Sequence, residues 1–386
     1  MTTLPSYFDM NDINLDDLHT LCTQTAHLAD YPLVSEIEKN ILIYDGNELR
    51  SNIIGHPDQE AVLKAELCRG LKDGPGAFVI KQGFPDLTVI DRHTELLKAI
   101  VIEEKESGQG QGDHFGQNER IWNTIQKVCL KDPEAFVDYY GNPLIGIACE
   151  SWLGPAYQIT AQMNNVKPGS KAQSAHRDYH LGFQSADIVR RFPAHAQVMS
   201  QYLTLQGAIV HVDMPLISGP TLFLPFSQQY TLGYLAYTMP EFRAYFDEHK
   251  VQLPLAKGDL VFFNPALFHG AGTNQGEIDR IGNMVQISSP FGKTMETIDN
   301  DVMITAVYPI LLDRVTTGTI DSRQIQDVIA AIGDGYSFPT NLDSDPPVGG
   351  NAPETGQQLM TRALDGKWPV AQLKNELEAY AVRRRA

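Results

Sequence analysis

Between about residues 140 and 290 one pattern recurs: a short β-prone run, a turn signal, then another run. The runs are "YQITAQMNNV", "LTLQGAIVHVDM", "GPTLFLPFS", "VQLPLAKGDLVFFNP" and "RIGNMVQIS", rich in β-branched and aromatic residues. Many short strands separated by Gly, Pro, Asn and Asp leave a chain few options besides a sandwich or a barrel. One interruption near 230–250, "YLAYTMPEFRAYFDEHK", has helical spacing and is expected to lie outside the sheets.

Helical patterns flank this region. In residues 1–75, "NLDDLHTLCTQTAHLADY" and "PDQEAVLKAELCRGLKDG" place apolar residues three and four apart. "GPGAFVIKQGFPD" reads as a β run closed by a turn, and "RHTELLKAIVIEEKE" as a helix after it. The Gly- and Gln-rich stretch 107–119 is expected to be a surface loop, an active-site lid being the other reading. Beyond residue 300 the spacing is helical again, interrupted by the linker-like "NLDSDPPVGGNAPETG" and ending in a basic tail suited to a helix C-terminus. The expected fold class is α+β: a mainly β core (76–292) between an N-terminal helical region (1–75) and a C-terminal helical extension (293–386), all in one domain. With 386 residues, 42% of them hydrophobic, such a core is affordable in apolar material.

Charge narrows the partners. Thirty Lys and Arg against 47 Asp and Glu give a formal charge of −17, a field that repels nucleic acid and anionic membrane surfaces. No apolar run approaches the ~18 residues of a membrane helix. The start "MTTLPSYFDMND" has no basic segment followed by an apolar one, so a cytoplasmic location is expected. Cys22, Cys68, Cys129 and Cys149 form no C-x-x-C pair, which argues against a thiolate zinc site and a disulfide scaffold. "SSPFGKT" mimics a phosphate loop but has Ile287 where the first glycine is required, and no G-x-S-x-G elbow occurs.

Chemistry concentrates in "AHRDYHLGF", residues 175–183. On an extended backbone, alternate side chains share a face, so His176 and Asp178 project together while Arg177 points away. An imidazole beside a carboxylate offers two ligands to one divalent ion. The best third ligand is His269 in "FFNPALFHGAGTN", at the end of a β run. Two His and one carboxylate on one face of an octahedral metal leave three adjacent positions open, the pattern of non-haem Fe(II) oxygenases. The bland alternative is a hydrogen-bonded His–Asp pair in a turn. A second H-x-D, His211-Val212-Asp213, lies inside an apolar strand where a core or rim role is easily met.

Arg280 opens the strand after "TNQGEID", and a hairpin is expected to bring it back alongside the strand of His269. Its planar fork suits a carboxylate, so a small diacid could meet the metal at one end and Arg280 at the other. From 165 to 195, Lys167, Lys171, Arg177, Arg190 and Arg191 outnumber Asp178 and Asp187. This local excess is expected to attract an anionic small-molecule substrate, with Arg177 among its contacts, ordinary surface being the alternative. His180 has two open readings, substrate contact or strand cap.

With these pieces assembled, the chain resembles the phytanoyl-CoA dioxygenase family of Fe(II)/2-oxoglutarate-dependent oxygenases. The resemblance rests on "AHRD" for a His-x-Asp pair, "GPTLFLPFS", "LAKGDLVFFNPALFHGAGTN" for a Gly-Asp strand and distal histidine, "RIGNMVQIS" for a co-substrate arginine strand, and the entry strand "GPGAFVIKQGF". It covers roughly 76–292. It implies a double-stranded β-helix (a jelly-roll, cupin-like barrel), with Fe(II), 2-oxoglutarate and O₂ as cofactor and co-substrates. It implies His176, Asp178 and His269 as iron ligands and Arg280 as partner of the 2-oxoglutarate carboxylate. "NVKPG" resembles a family run whose asparagine can contact the co-substrate, which implies a role for Asn165. Related halogenases replace the carboxylate ligand by a small residue, so Asp178 implies oxidation of an unactivated C–H bond, hydroxylation first and another oxidation as the alternative, with succinate and CO₂ released. The chain departs from the pattern at Arg177, where glutamine is frequent, at Ala271, where serine or threonine is, and in "PFSQQY", which lacks a glycine. Two rival readings are a non-catalytic ligand-binding β-barrel and a cupin-like metalloenzyme that does not use 2-oxoglutarate.

Overall fold

The structure is a computed structural model and describes residues 4–108 and 118–385. The Gly-rich stretch read as loop or lid lies largely outside the described residues. Strands β1 (Glu36–Glu38), β2 (Ile41–Asp45), β3 (Ala77–Lys81), β4 (Glu119–Ile121), β5 (Gln158–Val166), β6 (Thr204–Val210), β7 (Thr221–Leu224), β8 (Leu260–Phe263), β9 (Phe268–Ala271) and β10 (Arg280–Ser288) follow in chain order. Among the described residues they form an eight-stranded sheet, in the order β1-β2-β3-β8-β6-β10-β5-β4, and a two-stranded sheet of β7 and β9. Every pairing is antiparallel except β2 with β3. The small sheet is widened by single bridges, His176 to His269 and Phe223 to Val251. The two sheets face each other across a cavity, giving the jelly-roll core that the family resemblance implies.

Side-chain alternation explains how the large sheet serves two purposes. Odd positions such as Ile159, Ala161, Leu205, Ile209, Val285 and Ile287 point outward into the main apolar core under the helices. Even positions, Gln162, Asn164 and Val166 on β5, Gln206, Ala208 and Val210 on β6, and Arg280, Gly282, Met284 and Gln286 on β10, line the cavity. One strand thus reads apolar toward the helices and polar toward the cavity.

The β region opens at Gln158, later than the sequence texture implies. Residues before it form the helix Pro143–Leu153, started by Pro143 and by Asn142, whose side chain accepts from the Leu144 backbone N–H. The insertion is helical as expected, over Gly233–Ala236 and Pro240–His249, and two short helices, Ala186–Val189 and Ala194–Ser200, lie between the metal-binding segment and β6. The C-terminal helices are no appendage. Met303, Ile304, Val307, Tyr308 and Leu311 from Asn300–Thr317, with Leu359, Leu373 and Leu377 beyond, share one apolar core with the outer face of the large sheet. None of the helices among the described residues is long and apolar enough to cross a membrane.

Candidate metal centre

His176 and His269 are paired across the edge of the small sheet. His176 N–H donates to His269 O at 3.0 Å and His269 N–H to His176 O at 3.1 Å. Side chains of such a pair lie side by side on one face, and the two ring centroids are 4.4 Å apart. Asp178, two residues along, shares that face, and its backbone N–H donates to Pro265 O at 3.0 Å. Its carboxylate oxygens lie 3.8 Å from His176 Nε2 and 3.4 Å from His269 Nε2. These are the described residues able to hold a metal ion as a group of three, with ligand atoms all within 4.8 Å of one another.

Hydrogen bonds select the tautomer. His176 Nδ1 lies 2.9 Å from Ser174 O and His269 Nδ1 lies 2.8 Å from Leu267 O. A carbonyl only accepts, so each Nδ1 carries the proton and each Nε2 is left with a lone pair. His269 Nε2 is buried and has no hydrogen-bond partner. A buried acceptor without a donor is costly unless something else fills it, and a cation does so. Burial, reinforced by His269, pushes His176 below the ordinary imidazole value, toward the neutral form that binds metals. Burial acts to raise the Asp178 carboxyl, yet His269, His176 and a hydrogen bond from Gln206 hold it well below the usual carboxylate range. Two imidazole nitrogens and one carboxylate are a donor set that fits Fe(II).

The chain after Asp178 is strained. Tyr179 and His180 adopt φ of 63° and 42°, in the left-handed region that bulky residues avoid. Gly182 then passes so near that an added Cβ would sit 2.0 Å from Arg177 O. This tight reversal ends the metal-binding segment, and beyond it Gly182 and Phe183 still line the cavity.

Arg280 lines the cavity and is buried, its Nη1 donating to Ser218 O at 3.1 Å and Gly272 O at 3.2 Å. It has no acidic partner among the described residues, and burial pushes it down to about 10. The expected hairpin does not form. β10 pairs with β5 and β6 in the large sheet while β9 lies in the small one, so the turn carries the chain from one sheet to the other. Arg280 therefore reaches the site across the cavity, because only the even face of β10 looks into it.

The structure gives three of the expected contact residues other surroundings, although Arg177 still forms part of the cavity wall. Asn165 is at an odd position of β5, so its side chain leaves the cavity and donates to Glu119 Oε2 at 2.7 Å and Asp279 Oδ2 at 3.0 Å. Its neighbours Gln162 and Asn164 line the cavity instead. Arg177 is 2% exposed, with its Nη2 donating to Ser227 O and Tyr230 O and its guanidinium carbon about 5 Å from the rings of Tyr234 and Phe268. That cage gives it structural work, which alternation from His176 already implies. His180 is not among the cavity-lining residues. The basic cluster around 165–195 also disperses: Lys167 pairs with Glu119 and Asp279, Arg190 with Asp187, and Lys171 lines the cavity.

The second H-x-D belongs to the core. His211 Nδ1 lies 2.8 Å from Thr94 Oγ1 and its Nε2 lies 2.7 Å from Tyr139 Oη, while Asp213 accepts from Lys257 N–H at 2.9 Å. Both ring nitrogens are in use and neither residue faces the cavity. What sequence reasoning passed over is Gln206, whose Nε2 donates to Asp178 Oδ2 at 2.6 Å. A glutamine in the middle of the apolar run "LTLQGAIV", at an even position, was its signal.

The cavity measures about 690 Å³, a size suited to a small molecule. Besides the polar groups above, Val210, Met214, Val261 and Phe263 line it.

The protein-family model described as Phytanoyl-CoA dioxygenase (PhyH) matches residues 59–282, starting earlier than the motifs alone suggest, inside the helix Pro57–Lys72. No curated protein matches the chain. Similar solved structures include the epimerase SnoN in complex with Fe³⁺, alpha ketoglutarate and nogalamycin RO, at 16% identity and TM-score 0.42 over 61% of this chain and 85% of that one. The non-heme alpha ketoglutarate dependent carbocyclase SnoK from nogalamycin biosynthesis aligns at 16% identity and TM-score 0.43 over 58% and 83%. AviO1 from Streptomyces viridochromogenes aligns at 14% identity and TM-score 0.40 over 59% and 95%.

Proposed function

The chain belongs to the phytanoyl-CoA dioxygenase family, whose members use Fe(II), 2-oxoglutarate and O₂, and we propose that this one hydroxylates an unactivated C–H bond of a small anionic molecule. The observation that carries the reading is the convergence of His176, Asp178 and His269 on one point, with acid-free Arg280 on the facing sheet.

In this reading His176 Nε2, Asp178 and His269 Nε2 hold the metal. When bound, Fe(II) with 2-oxoglutarate and O₂ supplies the oxidation: the keto acid becomes succinate and CO₂, one oxygen atom entering succinate and the other the substrate C–H bond. Arg280 holds the distal carboxylate of 2-oxoglutarate, its fork fixed by Ser218 O and Gly272 O before the ligand arrives. Val210, Val261 and Phe263 keep water from the reacting region. A carboxylate at position 178 supports hydroxylation over halogenation, because it fills the position a halide would need. A cupin-like enzyme without 2-oxoglutarate leaves Arg280 buried with no anion to meet.

Charge on the cavity wall supports an anionic substrate. Lys171 and Arg243, the latter on the helix Pro240–His249, line it without an ion pair among the described residues, of which Asp178 is the sole acid on that wall. The test is anaerobic loading with Fe(II) and 2-oxoglutarate, which gives a charge-transfer band, followed by carboxylates, phosphate esters and their neutral counterparts. Anions are expected to perturb the band and to raise succinate release in air, with a product 16 Da heavier than its substrate. Equal responses to neutral compounds, or no response to any anion, overturn the anionic assignment; a product isobaric with its substrate or 2 Da lighter overturns hydroxylation.

A further inference from the structure

We propose that Gln206 is a positioning residue for the metal: its side-chain amide ties up one oxygen of Asp178, so that the carboxylate meets the ion through the other oxygen alone. The inference rests on the oxygenase reading and deepens it at the same site. Gln206 stands on β6, buried, with Nε2 2.6 Å from Asp178 Oδ2. A carboxylate oxygen can only accept, so the amide must present its NH₂ end, and the orientation is chemically fixed. Asp178 Oδ1 accepts no hydrogen bond among the described residues and is the oxygen 3.8 Å from His176 Nε2.

The number of open positions gives this contact its purpose. Three protein donors leave three of six octahedral positions; a keto acid chelates through two, and O₂ needs the third. A carboxylate binding through both oxygens would close that last position. The short, charge-assisted bond from Gln206 competes for Oδ2 and keeps it from the ion.

The contact depends on position in the sheet and not on the amide alone. Gln286 lies directly opposite Gln206 in the β6–β10 ladder, is equally buried and lines the same cavity, but makes no hydrogen bond to Asp178. It is a matched internal control.

The experiment uses the full-length chain. Gln206→Met, which preserves side-chain length and removes the donor, and Gln286→Met are titrated anaerobically with Fe(II), and with Co(II) as an air-stable probe, then with 2-oxoglutarate. Gln206→Met is expected to weaken metal binding about 10- to 100-fold and to shift the Fe(II)–2-oxoglutarate band, at an unchanged circular dichroism spectrum. Gln286→Met is expected to bind metal as the parent does. Unchanged affinity and band in Gln206→Met, or an equal loss in Gln286→Met, overturns the positioning role. If Gln206→Met fails to fold, infrared spectra of the Co(II)-loaded parent decide, since a two-oxygen carboxylate signature also overturns it. A parent chain that binds no Fe(II) at all sinks the oxygenase reading itself, which is a different result.

Discussion

His176 and His269 exchange both backbone hydrogen bonds, at 3.0 and 3.1 Å, as an antiparallel pair that lies outside the regular strand ladder. Two residues distant in sequence are thereby held with their rings adjacent by main-chain bonds alone. The preorganisation resides in the backbone, and each imidazole is replaceable without undoing the pairing that positions the other.

The first prediction uses that separation. His269→Ala and His176→Ala are each expected to lower Fe(II) affinity by at least about 100-fold while leaving the unfolding midpoint of the metal-free chain within a few degrees of the parent. Isothermal titration under argon and thermal unfolding with chelator check the two halves. Retained metal affinity in either variant would remove that histidine from the ligand set.

Arg280 supplies the second. If it meets a 2-oxoglutarate carboxylate, Arg280→Ala should raise the concentration of 2-oxoglutarate needed for half-maximal charge-transfer absorbance about 10- to 100-fold, the worth of a charge-assisted bidentate pair. Fe(II) affinity without 2-oxoglutarate should not move. Arg280→Lys keeps the charge but lacks the planar fork that meets a carboxylate through two parallel bonds, so only partial recovery is expected. A 2-oxoglutarate titration indifferent to both changes would leave the arginine a structural role.

The contrast between Arg280 and Asn165 shows what the sequence could disclose. Strand periodicity places Arg280 and Val166 on the cavity face and Asn165 on the opposite one, whereas the resemblance of "NVKPG" implies a co-substrate contact for Asn165 that this alternation does not favour. The triad was legible because a His-x-Asp on an extended segment has one geometric outcome. Sheet membership was not: whether "TNQGEID" joins neighbours in one sheet or crosses between two depends on contacts far along the chain, and local turn chemistry does not encode them. The C-terminal helices likewise read as an extension because their apolar stripes name no partner, and only the assembled core shows that they close the outer face of the large sheet.

The cage around Arg177 gives a third prediction. A Cβ at Gly233 would lie 1.9 Å from Arg177 Cζ, so Gly233→Ala must displace the guanidinium from its two carbonyl acceptors. A buried charge robbed of its partners is destabilising by about 3 kcal/mol or more. Urea unfolding should register the loss for Gly233→Ala and Arg177→Met alike, while Fe(II) and 2-oxoglutarate titrations of the folded fraction stay near the parent values. A substrate-contacting arginine would give the reverse pattern, with stability retained and substrate response lost.

The pH dependence of stability follows from His211. Burial pushes its folded value to about 3, against 6.5 for an exposed imidazole. Between those limits the unfolded chain takes up a proton that the folded chain refuses, so this residue's contribution is complete above pH 6.5 and is lost progressively as pH falls toward 3. Going from pH ~7.5 to ~5.5, the linkage amounts to about 1.4 kcal/mol. His211→Gln can still bond Thr94 and Tyr139 but does not titrate, so its urea-unfolding free energy should fall less over that interval by about that amount. With chelator present, the metal site is the same in both proteins and cancels in the difference. Identical pH slopes for parent and variant would mean that His211 is not buried as a neutral imidazole, and the separation of the two H-x-D segments into core and metal site would have to be withdrawn.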